Sequence, residues 1–203
     1  FFASASYKTG YLAPNLYQQN YGSTSALDAE ESRGYEVSLG NKNFLLTYFD
    51  QRVKNAIEYG GYWPNDLYYN IEGNSRFRGV ELSANYQLSN FLGELSYTYL
   101  DAKDANHHRI AMRAQDKITG SLSLFVSKTL DMNLRGTYTG TRYDTTGAQS
   151  GEYFVADYTV NFAASENIAL YLKAHNLFDK YYQEVDGYGT YGRTFYVGIR
   201  GGF

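Results

Sequence analysis

Apolar and polar residues alternate along most of this chain. Over positions 80–88 the apolar residues are Val80, Leu82, Ala84, Tyr86 and Leu88, and between them stand Glu81, Ser83, Asn85 and Gln87. Positions 118–124, 130–138, 154–162 and 195–203 repeat the alternation. A period of two puts successive side chains on opposite faces of a strand. No segment carries a convincing period of 3.6. The pattern predicts roughly ten strands of about ten residues, near 2–9, 33–40, 44–59, 68–88, 91–103, 113–127, 130–143, 152–163, 168–183 and 192–203. Short turns are expected at 40–43, 89–90, 128–129 and 165–167, and longer connections at 10–32, 60–67, 104–112, 144–151 and 184–191.

Period alone allows two architectures. A soluble sandwich buries its apolar face and wets the other. A membrane barrel turns the apolar face to lipid and the polar face to a wet lumen. The polar parity holds Glu36, Glu81, Glu94, Asp131, Arg135, Asp157, Lys173 and Arg200. Four features favour the barrel. The strands have the length a tilted strand needs to cross a bilayer. Short turns alternate with long loops, tyrosines gather near strand ends as in an interfacial girdle, and the last strand alternates Phe195, Val197 and Ile199 before a terminal Phe203. The expectation is an all-β, antiparallel transmembrane β-barrel. Positions 1–4 read like the middle of a strand, so the chain is expected to be a piece of something longer.

Composition narrows the function classes. The chain has 203 residues, no Cys, 2 Pro, 23 Tyr, 12 Phe and a formal net charge of -3. A disulfide scaffold or thiolate metal site needs Cys. A disordered chain would lack this aromatic content. The balanced charge gives no basis for nucleic-acid binding. No apolar run is long enough for a transmembrane helix.

Several blocks carry a family resemblance. Asn176-Leu177-Phe178-Asp179-Lys180-Tyr181-Tyr182 is followed by Gly192-Arg193 and a strand ending in Phe203. Upstream stand Tyr7-Lys8-Thr9-Gly10-Tyr11-Leu12-Ala13-Pro14-Asn15-Leu16, then Asp28-Ala29-Glu30-Glu31-Ser32, then Arg78-Gly79-Val80-Glu81. In this order the blocks resemble TonB-dependent outer-membrane receptors. Positions 11–16, Thr141-Arg142-Tyr143-Asp144 and the Gly187-Tyr188…Gly192-Arg193 run are most similar to the cobalamin-transporting branch. The resemblance implies a barrel of about 22 strands filled by an N-terminal plug. Residues 1–203 would be its C-terminal portion, with the plug and the TonB box outside this sequence. It also implies energy-coupled import of a large scarce nutrient, cobalamin first and a ferric siderophore or haem second. No covalent chemistry and no cofactor are expected. The implied partners are the outer membrane with its lipopolysaccharide, the TonB energy-transducing complex acting through the plug, the barrel assembly machinery and the small-molecule ligand.

In such receptors extracellular loops capture the ligand, and aromatic faces with amides suit a large corrinoid. The candidate ligand-binding residues are Tyr17 and Tyr21 in the first loop, Tyr62 and Trp63 in the second, Arg113, Tyr143 and Tyr188. Girdle or loop-packing roles are the alternative for each tyrosine. Arg113 would bond a ligand amide or phosphate, or else pair with a wall carboxylate. Met112 stands where the family pattern has a second Arg, and the loop after Asp144 is not aromatic-rich. His107-His108 beside Asp101 and Asp104 raises a metal or acid–base reading, but adjacent residues on an extended segment point apart. A self-contained ten-stranded pore, or an outer-membrane protease built on Asp101, Asp104, His107 and His108, is the reading from another class.

Overall fold

The computed structural model describes residues 1–20, 26–60, 67–144 and 147–202. In chain order the elements are β1 (Phe2–Leu12), the one-turn helix α1 (Leu16–Asn20), β2 (Glu30–Gly40), β3 (Phe44–Lys54), β4 (Ile57–Gly60), β5 (Leu67–Asn70), β6 (Asn74–Leu88), β7 (Phe91–Lys103) and β8 (Asp116–Phe125). Then follow β9 (Leu130–Thr139), β10 (Arg142–Tyr143), β11 (Gln149–Ser150), β12 (Tyr153–Ala163), β13 (Ile168–His175), β14 (Gln183–Val185), β15 (Tyr188–Gly189) and β16 (Thr194–Gly201). Ten of these form one antiparallel sheet in the order β1-β2-β3-β6-β7-β8-β9-β12-β13-β16. Each wall strand pairs with the next one along the chain, so the sheet is an up-and-down meander with β1 and β16 at its open edges. The pairs β4–β5, β10–β11 and β14–β15 are small hairpins set in the long connections at one rim.

The ten expected strands are present, with ends that differ. Expected strands 44–59, 68–88, 130–143 and 168–183 each break into a wall strand and a rim segment. Asn55, Gly73 and Asn176 have φ of 56°, 93° and 51°, a left-handed backbone that cannot continue a ladder. The strand expected from 113 starts at Asp116, and the last one spans Thr194–Gly201, while β1 and β2 run further toward the long-loop rim than the pattern indicated.

The alternation is realised in the register. One face carries Val37, Tyr48, Val80 and Tyr99 directly opposite one another, with Leu39, Leu46, Leu82 and Tyr97 in the next row. The other face carries Ser38 beside Thr47 at 2.9 Å, Thr119 beside Thr137 at 3.4 Å, Asn133 bonded to Ser121 and Ser123, and Asn161 donating to Asp131. Among the described residues no second sheet covers the apolar face. Val37, Leu39, Leu95, Leu122, Leu172, Val197 and Ile199 are all exposed, and the buried apolar residues among those described are Ala102, Ile110, Tyr153, Ala156 and Ala174. A sandwich would have buried these side chains; here they need an apolar solvent, and each such side chain is worth about 1.5–3 kcal/mol when taken out of water. Aromatics rim the apolar band, with Tyr35, Tyr48, Tyr97 and Tyr138 toward the long-loop side and Phe44, Tyr86, Phe91 and Phe162 toward the short turns.

Candidate functional site

The long-loop rim is shaped first by the Asn176-Leu177-Phe178-Asp179 block. Asn176 ends β13, and its side chain is 0% exposed. Its Nδ2 donates to the carbonyls of Lys180 (2.9 Å) and Tyr191 (3.3 Å), and its Oδ1 accepts from the Lys180 N–H (2.9 Å). Its own N–H donates to Asp157 Oδ1 at 3.0 Å. Asp179 accepts the Arg193 N–H at 2.7 Å, and a Cβ at Gly192 would sit 2.7 Å from the same Asp179 oxygen. The block is therefore a clasp that folds positions 176–193 back over the wall. Tyr182 stacks on Tyr153 with centroids 4.5 Å apart, and burial pushes its hydroxyl pKa up. The clasp leaves the β14–β15 hairpin standing clear, with Tyr188 75% and Tyr191 79% exposed.

The Thr141-Arg142-Tyr143-Asp144 block lashes the neighbouring hairpin to this one. Arg142 donates to Ser150 Oγ (3.2 Å) and to the carbonyls of Gln183 (3.2 Å) and Glu184 (2.5 Å). Buried Asp144 caps its turn by accepting the Ala148 N–H at 2.9 Å. Half-buried Tyr143 accepts the Met112 N–H at 2.7 Å, and Thr141 accepts the Gln115 N–H at 3.1 Å. Exposed Arg113 thus lies next to the segment carrying Tyr143.

A second group forms on the β4–β5 hairpin. Tyr17 from α1 meets Tyr68 edge-on at 6.1 Å, and Tyr68 meets Tyr59 at 4.9 Å. Asn70 binds both the N–H (2.8 Å) and the carbonyl (3.0 Å) of Asp28, and Glu30 accepts the Ile57 N–H at 2.7 Å. The first loop is thereby stapled to the second. Burial holds the Glu58 carboxyl above its usual range; the Arg113 charge opposes this, and Asp104 and Glu30 reinforce it. Burial likewise raises the Tyr69 hydroxyl, with Glu58 and Asp104 adding to it. The carboxylate that Arg113 acts on is therefore in a loop, not in the wall. Tyr21, Tyr62 and Trp63 lie outside the described residues, as does Phe203.

The histidine cluster is turn structure. Asp104 Oδ1 accepts the N–H groups of Asn106 (2.9 Å) and His108 (2.8 Å), and His107 takes φ 66° to close the turn. Asp101 is held by Arg78 and Lys103, and it shares a depression with Asp104 and His107. His175 lies on the polar face with Nδ1 2.7 Å from Asp157. No group of three His, Asp or Glu among the described residues could hold a metal ion. Among the described residues, the rim presents exposed phenol rings, amide-bearing loops and the exposed guanidinium of Arg113.

Sequence reading missed one feature. Toward the long-loop rim the apolar parity gives way to charge: Arg33, Arg52, Arg76 and Lys103 continue the rows that begin with Val37, Tyr48, Val80 and Tyr99. Following each strand's parity past its apolar stretch would have shown the charges on that face, but not the register that aligns them.

A single-layer meander with an apolar outside, a polar inside, short turns at one rim and hairpin-bearing loops at the other is the wall of a transmembrane β-barrel. Residues 2–177 match the family model described as TonB dependent receptor-like, beta-barrel, and the chain belongs to that family of outer-membrane receptors and transporters. It is 27% identical over 98% of its length to the vitamin B12 transporter BtuB of Vibrio cholerae serotype O1, covering 34% of that protein. Among solved structures, the copper transporter OprC superposes with TM-score 0.82 at 18% identity, over 99% of this chain and 37% of that one. A ferric enterobactin receptor (PfeA) mutant from Pseudomonas aeruginosa superposes with TM-score 0.75 at 20% identity, over 99% and 38%. The chain thus spans about a third of the length of the relatives it matches.

Proposed function

We propose that the chain is the C-terminal part of the barrel of a receptor that imports cobalamin across the outer membrane. The observation that carries this reading is the 98% coverage by a relative named as a vitamin B12 transporter. The rim geometry supports it. Exposed Tyr188 on β15 and Tyr191 just after it, with Arg113 beside Tyr143, offer flat aromatic surface and donors to a large ligand bearing amides and a phosphate. Tyr17 on α1 adds an aromatic face from the first loop, and Tyr21, Tyr62 and Trp63, outside the described residues, are further proposed contacts from the sequence. The plug and the segment contacted by the TonB energy-transducing complex belong to the rest of the protein, and the barrel assembly machinery inserts the wall. Ligand is captured by the loops and released inward when the plug is pulled from the periplasm. Ferric siderophores form the second reading, favoured by the ferric enterobactin receptor among the structural neighbours.

The test is equilibrium binding of cyanocobalamin to the full-length receptor in detergent. Binding that weakens about tenfold or more in Tyr188→Ala, roughly the worth of one desolvated aromatic contact, is the expected result. Unchanged affinity removes Tyr188 from the site. Binding of a ferric catecholate with no binding of cyanocobalamin favours the second reading.

A further inference from the structure

Arg113 and Tyr188 stand on different loops, far apart in sequence, yet both are tied to the two-residue strand β10. On the Arg113 side the tie is backbone. The Met112 N–H donates to the Tyr143 carbonyl at 2.7 Å and the Gln115 N–H to the Thr141 carbonyl at 3.1 Å, so Arg113 lies between two bonds to the β10 segment. On the Tyr188 side the tie is the Arg142 side chain. Its Nε donates to Ser150 Oγ on β11, and one Nη donates to the carbonyls of Gln183 and Glu184 on β14. In the β14–β15 hairpin Gln183 pairs with Gly189 and Val185 with Tyr188, so the Tyr188 rung lies next to the residues that Arg142 grips.

This hairpin needs the grip. It has two rungs with a register shift between them, and a short two-stranded hairpin is marginal on its own. The base of the β10–β11 hairpin is firm by contrast, because Thr141 Oγ1 donates to Glu152 at 2.6 Å and Asp144 caps the turn. Arg142 therefore hangs the loose hairpin on the firm one. Its acceptors are neutral oxygens, and it makes no salt bridge among the described residues. The fold uses the planar fork of the guanidinium here rather than its charge, and a lysine ammonium cannot reproduce that fork.

We propose that Arg142 is a positioning residue: it fixes the spacing between the Arg113 guanidinium and the Tyr188 ring, so that the site selects a corrinoid carrying its phosphate-bearing nucleotide loop over the bare corrin. The assignment rests on the cobalamin reading above. A ligand that uses both handles depends on their spacing; a ligand that uses only the ring does not. The test is equilibrium binding of cyanocobalamin and of dicyanocobinamide, the same corrin without the nucleotide loop, to the full-length receptor in detergent. The wild type prefers cyanocobalamin about tenfold. Arg142→Lys, which keeps the charge and loses the fork, brings the preference below about twofold, with the loss falling mainly on cyanocobalamin. In the ligand-free receptor the same variant quickens hydrogen exchange over residues 183–189. Equal weakening of both ligands, which is what general loosening of the loop would give, overturns the assignment, as does unchanged exchange. A wild type with no preference between the two overturns it and leaves the cobalamin reading in place; a wild type that binds neither removes both. Should Arg142→Lys fail to assemble, Ser150→Ala, which removes one acceptor of the fork, takes its place: a smaller fall in the preference is expected, and an unchanged preference overturns the assignment.

Discussion

At the scale of single residues, the motifs that identify the family are mostly braces. Asn176 satisfies two carbonyls and an N–H inside a fully buried pocket, so Asn176→Ala strands three backbone groups at once. Each buried unsatisfied group costs about 1–3 kcal/mol. The variant is expected to free positions 180–193, seen as protease cleavage of that loop in intact cells while the wall still assembles; a loop as resistant as wild type would contradict the clasp. Gly198 is a second such position. It lies directly opposite Tyr171, whose ring occupies the space a Cβ would need. Gly198→Leu overpacks the site by about 1–3 kcal/mol and is expected to reduce assembled receptor, with Tyr171→Ala in the same chain restoring it. A double variant no better than the single one would show that the ring is not the obstacle. Tyr188, Tyr143 and Arg113 stand out differently: they are named by the same motifs, yet of the three only Tyr143 takes part in the bracing, and it does so through its backbone carbonyl.

Among elements, the hairpins at the rim differ in how they are held. The β4–β5 hairpin is stapled to the first loop by Asn70 and Glu30, and it carries a carboxyl, Glu58, raised mainly by burial. Above the ordinary glutamate range and below the raised value, the packed hairpin keeps a proton that the opened hairpin releases. Its packing therefore weakens as pH rises through that window and is strongest below it. Hydrogen exchange of residues 57–60 in the full-length receptor is expected to quicken across that window beyond the intrinsic rise, and Glu58→Gln is expected to abolish the excess. An excess that survives in Glu58→Gln would assign the effect to another group. Much of the element plan was legible from the alternation, because a period of two needs no partner to be seen. The strand breaks were not: Asn55, Gly73 and Asn176 adopt positive φ, which no periodicity records. The cation row was hidden for another reason. Residues 33, 52, 76 and 103 become neighbours only through the register of four strands.

For the whole molecule, the decisive property is a sheet with no core. Its apolar face is uncovered, its polar face is cross-linked by hydroxyls and amides, and its edge strands β1 and β16 are not paired with each other. Open edges leave N–H and C=O groups unmatched in lipid, so such a sheet persists in a membrane only as part of a closed wall. The alternation and the rhythm of turns revealed the barrel; the aromatic and amide composition of the loops suggested capture of a large ligand. The ligand itself is not written in the wall. It depends on how loops from distant strands and the plug meet, and Tyr17 and Tyr188 come from opposite ends of this sheet.

The central claim, that these ten strands are an arc of a wider barrel with their apolar face in lipid, is tested most directly by proximity of its edges. Ala5 on β1 and Val197 on β16 both lie on the apolar parity, and the chain contains no Cys. The full-length receptor carrying Ala5→Cys and Val197→Cys is treated in outer membranes with a short bifunctional thiol cross-linker. The account predicts that both cysteines react with a lipid-soluble maleimide but do not link to each other. Rapid, complete linking within one chain would mean that β1 and β16 are neighbours, that ten strands close on themselves, and that the wider receptor barrel is wrong.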